Sequence, residues 1–264
     1  MSGPVIQLDS ICLSRNGRTI LDRVSWTVAR GEHWALLGPN GSGKTTLLNI
    51  VTGYLWPMEG TVDVLGGRFG TFDIREMRRR IGLVSSALFE RVPSGDTFFD
   101  IVISGRFASL GVFEDPTPED RDRASEITAF LGCERIAQSR YGALSFGERQ
   151  RALIGRALMA APDILILDEP CEGLDMHARE TLLERLDTLC TGDVPTLVLV
   201  THRVEEIPPG VGMALVLKNG RVLASGPKSG IVTSEVLSAA MDLPVEILSR
   251  NGRLYAVMAG GGAT

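Results

Sequence analysis

An excess of basic charge, paired cysteines and long apolar runs are all missing from this chain, and each absence excludes a class of protein. The 27 Lys and Arg are outnumbered by 32 Asp and Glu, net −5, so there is no strong signal for nucleic acid as a partner. Cys12, Cys133, Cys171 and Cys190 form no C-x-x-C pair, and only three histidines accompany them. That spacing supports neither a zinc site nor a disulfide framework, and it fits a reducing cytoplasm. The apolar stretches are broken by Arg156, Pro162 and Asp163 well before the roughly 18 residues a membrane helix needs. The opening Met1-Ser2-Gly3-Pro4-Val5 lacks a basic segment leading into an apolar one and is read as carrying no signal peptide. What remains is 264 residues, 44% of them hydrophobic, enough to bury a full core as one large domain or a main domain with an insertion.

The most informative stretch present is Gly38-Pro39-Asn40-Gly41-Ser42-Gly43-Lys44-Thr45-Thr46, preceded by the apolar run Trp34-Ala35-Leu36-Leu37. A strand ending at Leu37, a sharp turn and a helix beginning near Gly43 would converge several unpaired backbone N–H groups at the positive end of a helix dipole, where polyphosphate belongs. Glycines at 38, 41 and 43 let the backbone curl around an anion; Lys44 reaches the β and γ phosphates, and the Thr45 hydroxyl ligates Mg²⁺. The alternative, a turn that binds nothing, does not explain strand, loop, lysine and helix occurring together.

The flanking sequence supplies the scaffold. Val5 to Leu13, a turn at Asn16-Gly17, Val24 to Val28 and His33 to Leu37 predict a small antiparallel sheet leading into a core strand, to which Thr61 to Leu65 returns. Arg78-Arg79-Arg80 reads as a solvated helix end before a strand over Ile81 to Val84. From 97 to about 138 the periodicity is helical. Beyond Leu144, helices over 145–160 and 177–190 alternate with strands over 164–167, 196–200, 213–217 and 221–224, as a parallel sheet covered by helices requires. A short helix over 234–241 and a hairpin turning at Asn251-Gly252 follow, and the glycine-rich end 260–262 is expected to fray.

A second constellation sits at strand ends. Asp168 and Glu169 follow Ile164-Leu165-Ile166-Leu167, so one carboxylate can hold Mg²⁺ and the next can polarise a water for attack on the γ phosphate. Ser145 with Glu148 three residues later is a capping box, and the same helix start, with Gly147, is also an anion site. His202 follows the run Val198 to Thr201, where an imidazole could contact a γ phosphate or play a structural part.

In this order the motifs resemble the ATP-binding cassette (ABC) family over residues 5–225. The resemblance implies an α/β fold: a P-loop NTPase core with a mostly parallel sheet (36–59, 68–86, 141–228), an N-terminal antiparallel β-subdomain (4–35, 60–67), an inserted α-helical subdomain (87–140) and a C-terminal extension (229–264). It implies an ATPase using ATP and Mg²⁺, with Glu169 and His202 catalytic and Asp168 at the metal. Leu144-Ser145-Phe146-Gly147-Glu148 matches the family signature and Glu172-Gly173-Leu174-Asp175 the loop after the catalytic glutamate. In a head-to-tail dimer of two copies, Ser145 and Gly147 would act in trans, with Asp175 also at the nucleotide.

Departures from the family pattern are specific. Ser85 or Ser86 stands where a metal-contacting glutamine is usual, Phe146 replaces a glycine, Glu148 a glutamine, and Arg15 an aromatic that would stack on adenine. Gly31-Glu32-His33-Trp34, Val84-Ser85-Ser86 and Val102-Ile103-Ser104-Gly105-Arg106 resemble the molybdenum-associated ATPase group, and the helical segment resembles ATPase subunits of metal-chelate importers. The expected function is energising a transporter from the cytoplasmic face of a membrane, peripherally, with permease chains docking beside 86–140 against aromatics such as Phe89, Phe98 and Phe99. The alternative is a soluble switch ATPase acting on a ribosome or DNA complex.

Overall fold

In a computed structural model, residues 3–107, 109–110, 115–192 and 195–259 are described; the glycine-rich end 260–262 lies outside them. In chain order the elements are β1 (Ile6–Arg15), β2 (Arg18–Val28), β3 (Trp34–Leu37), α1 (Lys44–Val51), β4 (Glu59–Val64), β5 (Gly67–Arg68), α2 (Ile74–Arg79) and β6 (Ile81–Val84). Then come α3 (Phe98–Ser104), α4 (Pro118–Phe130), α5 (Phe146–Met159), β7 (Ile164–Asp168), α6 (Met176–Leu189), β8 (Thr196–Val200), β9 (Met213–Lys218) and β10 (Arg221–Pro227). The chain closes with α7 (Lys228–Ile231), α8 (Ser234–Met241), β11 (Val245–Arg250) and β12 (Arg253–Met258).

These elements cluster into two compact units, 1–78 with 196–264, and 79–195. In the first, β1 pairs antiparallel with both β2 and β4, giving the expected antiparallel sheet, while β3 lies parallel between β8 and β9. The strands β3, β8 and β9 are almost wholly buried apolar residues, the pattern of strands covered on both faces. The second strand begins at Arg18, not at Val24 as the residue pattern suggests, because register shifts along β1 and β2 break the two-residue alternation. Left-handed Ser10 (φ 53°) and Arg23 (φ 51°) mark those irregularities.

In the second unit β6 and β7 are parallel, and α3, α4 and α5 form the helical part. Thr97–Asp100, Thr117–Asp120 and Ser145–Glu148 each close a capping box at a helix start, which fixes where these three helices begin. Gly105 lets the end of α3 touch α5: a Cβ there would lie 1.9 Å from the Arg156 carbonyl oxygen. Phe98 is fully buried, so it is core and not a docking surface, and Phe89 is taken up in a ring stack with Phe146.

The arginine run is less solvated than its charge suggests. Arg78 donates to the carbonyls of Thr52 and Gly53 at the end of α1 and lies over the Tyr54 ring, and Arg80 pairs with Asp163 at 2.7 Å. Only Arg79 is exposed. The Glu32-His33-Trp34 segment is likewise structural: Glu32 accepts from Ala29 N and Trp34 Nε1, and His33 Nδ1 accepts from Leu197 N.

Candidate nucleotide site

The loop between β3 and α1 has the backbone an anion needs. Gly38, Gly41 and Gly43 all have positive φ (147°, 77° and 107°), and Gly43 is the N-cap of α1 with no side-chain cap and no acidic residue in the first turn. The first N–H groups of the helix therefore keep their partial positive charge. The loop is wedged in place, because a Cβ on Gly38 would lie 2.2 Å from the Leu217 carbonyl oxygen and one on Gly43 2.7 Å from Leu21. Lys44 is buried and folds over the loop, donating to Gly38 O (2.8 Å) and Pro39 O (3.1 Å). Ser42 Oγ is buried and finds no hydrogen-bond partner among the described residues, which suits an acceptor arriving from outside the chain. Pro39 is partly covered, Asn40, Gly41 and Thr45 are exposed, and Thr46 is partly covered on the same short stretch.

His202 emerges beside this loop. Leu36 of β3 pairs in parallel with Val200 of β8, and Thr201 N donates to Leu36 O, so Gly38 and His202 leave neighbouring strands at the same end of the sheet. The turn carrying His202 is pinned from below by a group the sequence reading missed. Thr201 Oγ1 donates to the buried carboxylate of Glu206 at 2.5 Å and accepts from Arg203 N at 3.0 Å. Burial pushes the Glu206 carboxyl above its ordinary pKa, against the pull of the Thr201 hydroxyl and of the charges on Arg203 and His202. A glutamate four residues past a histidine at a strand end is the signal that would have found it. Arg15 is exposed, paired across the Asn16-Gly17 turn with Arg18.

In the second unit the same logic of parallel strands brings Ser85 and Asp168 together. Val84 of β6 pairs with Leu167 of β7, so the next residues, Ser85 and Asp168, stand side by side at the C-terminal ends of both strands, where ligands of α/β sheets bind. Glu169 follows with φ 50°, a left-handed conformation rare for a non-glycine residue and concentrated at functional sites. Ser145 is the exposed N-cap of α5: its N–H donates to Glu148 Oε2 at 2.7 Å, while Ser145 Oγ accepts from Glu148 N. Gly147 has room for little else, since a Cβ would meet Leu174 and Ala178 at 3.2 and 3.3 Å. Asp175 is exposed and caps α6 by accepting from Ala178 N.

Residues 21–172 match the model of the ABC transporter family. The chain belongs to that family. It is an ABC transporter ATP-binding subunit with a cassette ATPase domain of the P-loop NTPase fold. It is 44% identical over 253 residues to the ABC transporter ATP-binding protein YlmA of Bacillus subtilis (strain 168), an alignment covering 95% of this chain and 96% of that one. Among solved structures it is similar to the ATP-binding cassette MJ0796, a dimer in a post-hydrolysis state with ADP and Pi (TM-score 0.72, 28% identity, 84% of this chain and 98% of that chain). It also shares its fold with an inward-facing transporter described as of the metal-chelate type (TM-score 0.77, 24% identity, 98% and 99% covered). These relatives support the transporter reading of this ABC subunit over that of a soluble switch. No helix among its described residues is long and apolar enough to cross a membrane.

Proposed function

We propose that two copies of this ABC subunit close head to tail on ATP, hydrolyse it and reopen, driving permease chains at the cytoplasmic face of a membrane. The observation that carries the reading is the loop from Gly38 to Lys44, with its left-handed glycines, uncapped helix start and orphaned Ser42 hydroxyl. Lys44 and the loop amides hold the phosphates, and Arg15 lies against the adenine as a planar cation. Glu169 takes the proton of the attacking water at its carboxylate, and His202, oriented through Thr201 and Glu206, contacts the γ phosphate. Ser145, Gly147 and Asp175 serve the nucleotide of the other copy.

Thr45, Asp168 and Ser85 are the residues that would hold Mg²⁺, and their all-oxygen donor set suits a hard cation that also takes ligands from phosphate. When bound, Mg²⁺ neutralises charge on the β and γ phosphates. The permease contact is favoured by an apolar run absent from the sequence expectation: Tyr54, Leu55, Trp56 and Met58 are all exposed, a surface suited to an apolar partner.

Glu169→Gln tests the reading. It is expected to bind ATP, to lose turnover by about 10²-fold or more, and to double in mass with Mg²⁺ and ATP. Purified from detergent-solubilised membranes it should bring a stoichiometric polytopic partner. Near-normal turnover would remove Glu169 from its role, and recovery from the soluble fraction alone would return the protein to the soluble-switch reading.

A further inference from the structure

The family departure at Phe146 meets the turn that begins at the departure Ser85. Phe146, directly after Ser145, lies parallel to Phe89 with ring centroids 4.8 Å apart and planes 1° from coplanar. Since touching ring planes are separated by about 3.5 Å, this is an offset stack, the favourable arrangement of two quadrupoles. Phe146 also lies close to Gly173, whose ideal Cβ would lie 3.2 Å from Cε1 of the ring and whose φ is +74°. One ring therefore bridges the turn that follows β6 and the loop that follows Glu169.

The Phe89 side of the stack is tied back to the end of β6. Leu88 N donates to Ser85 O, closing the turn that starts at Ser85, and the Tyr141 hydroxyl donates to Phe89 O at 3.4 Å. Arg149 of α5 donates to Tyr141 O and Gly142 O. Phe146 nevertheless remains 44% exposed, a large apolar ring standing next to an exposed N-cap serine.

We propose that the Phe89–Phe146 stack is a positioning element that holds Ser145 in register with the Ser85 turn and with the Gly173 loop, linking by ring contact segments that a shorter serine side chain cannot reach across. The inference rests on the head-to-tail reading, because Ser145 then acts on the nucleotide of the other copy. In this role the two rings need no contact with ATP. Both act through the backbone they fix.

The test uses the full chain carrying Glu169→Gln and measures Mg²⁺–ATP-dependent dimerisation by sedimentation, with ATP affinity of the monomer and Tm recorded alongside. Phe89→Ala and Phe146→Ala are each expected to weaken dimerisation by about two- to tenfold, and the double substitution no further, with monomer ATP affinity unchanged. Phe89→Tyr, which keeps the ring, is expected to retain dimerisation, whereas Phe89→Leu behaves like Phe89→Ala. Independent, multiplying effects, no effect on dimerisation, or full rescue by leucine would each overturn the positioning role and leave the dimer reading standing. A parent Glu169→Gln protein that binds ATP and stays monomeric would overturn the head-to-tail reading, and this inference with it.

Discussion

Gly38→Ala is the sharpest test of the nucleotide loop. At φ 147° the residue occupies backbone space that is nearly reserved for glycine, which costs about 1–3 kcal/mol for any side chain. The added methyl would also lie 2.2 Å from Leu217 O and 2.8 Å from Ser42 Oγ. The serine can rotate, but Leu217 is main chain of β9, held between β3 and β10, so the carbonyl cannot retreat. Overpacking of this kind adds about 1–3 kcal/mol, for a combined destabilisation of roughly 2–6 kcal/mol if the loop stays put. Each kcal/mol moves Tm by roughly 2–4 °C in a chain of this size, so a fall of at least about 4 °C is expected. If instead the loop moves by the ~1 Å needed, the strain appears as lost phosphate contacts and ATP affinity falls by about tenfold or more. Gly41→Ala is the internal reference, because its φ is also positive but nothing lies within 4 Å of the added methyl. Calorimetry with ATP and thermal melts of both variants decide the matter: if Gly38→Ala matches Gly41→Ala in affinity and Tm, the wedge against β9 is wrong.

Lys44→Ala is expected to reduce ATP affinity by at least ~30-fold, the loss typical of a buried charge contact, and unchanged affinity in titration calorimetry would remove Lys44 from the phosphates. Arg78→Ala should lower stability by about 1–3 kcal/mol, since the carbonyls of Thr52 and Gly53 lose their donors; an unchanged Tm would show that the contacts contribute nothing. His33 supplies a pH test. Burial disfavours its imidazolium and lowers its pKa from the ordinary 6.5, and the neutral Nδ1 accepts from Leu197 N. The unfolded chain thus takes up the proton first as pH falls, so this stabilisation is complete above about 6.5 and drains away towards the lower folded value. The Tm difference between wild type and His33→Gln should shrink between pH 7.5 and 5.5. A constant difference would show that His33 does not titrate in that range, whatever the opposite drift of Glu206 adds to both proteins.

Local chemistry was readable from the residues where it was decided by neighbours in sequence. The capping box at Ser145 and Glu148 and the turn at Asn251-Gly252, with φ of 52° and 76°, depend on spacing alone. So does the glycine pattern of the loop before α1. The start of β2 was hidden because bulges break alternation, which is the only signal a half-buried strand offers. The use of Arg78 and Arg80, the pairing of Phe89 with Phe146 and the burial of Phe98 depend on residues distant in sequence, and charge or aromaticity alone does not report them. The placing of Ser85 beside Asp168, one residue beyond the Val84–Leu167 pair, follows from strand order, which no single stretch contains.

Helix α1 is short, eight residues or about 12 Å, and it is clamped at both extremes: Gly43 wedged against Leu21 at one, Arg78 grasping the carbonyls of Thr52 and Gly53 at the other. A rod so stubby has little room to bend. Its two ends are expected to move together. Tyr54, Leu55 and Trp56, all exposed, follow its last turn immediately, with Leu55 N still bonded back to Asn49 O. A displacement of the first turn is therefore expected to reach this apolar surface, and Trp56, seated against Phe69, is the fluorophore with which to watch for it on adding ATP.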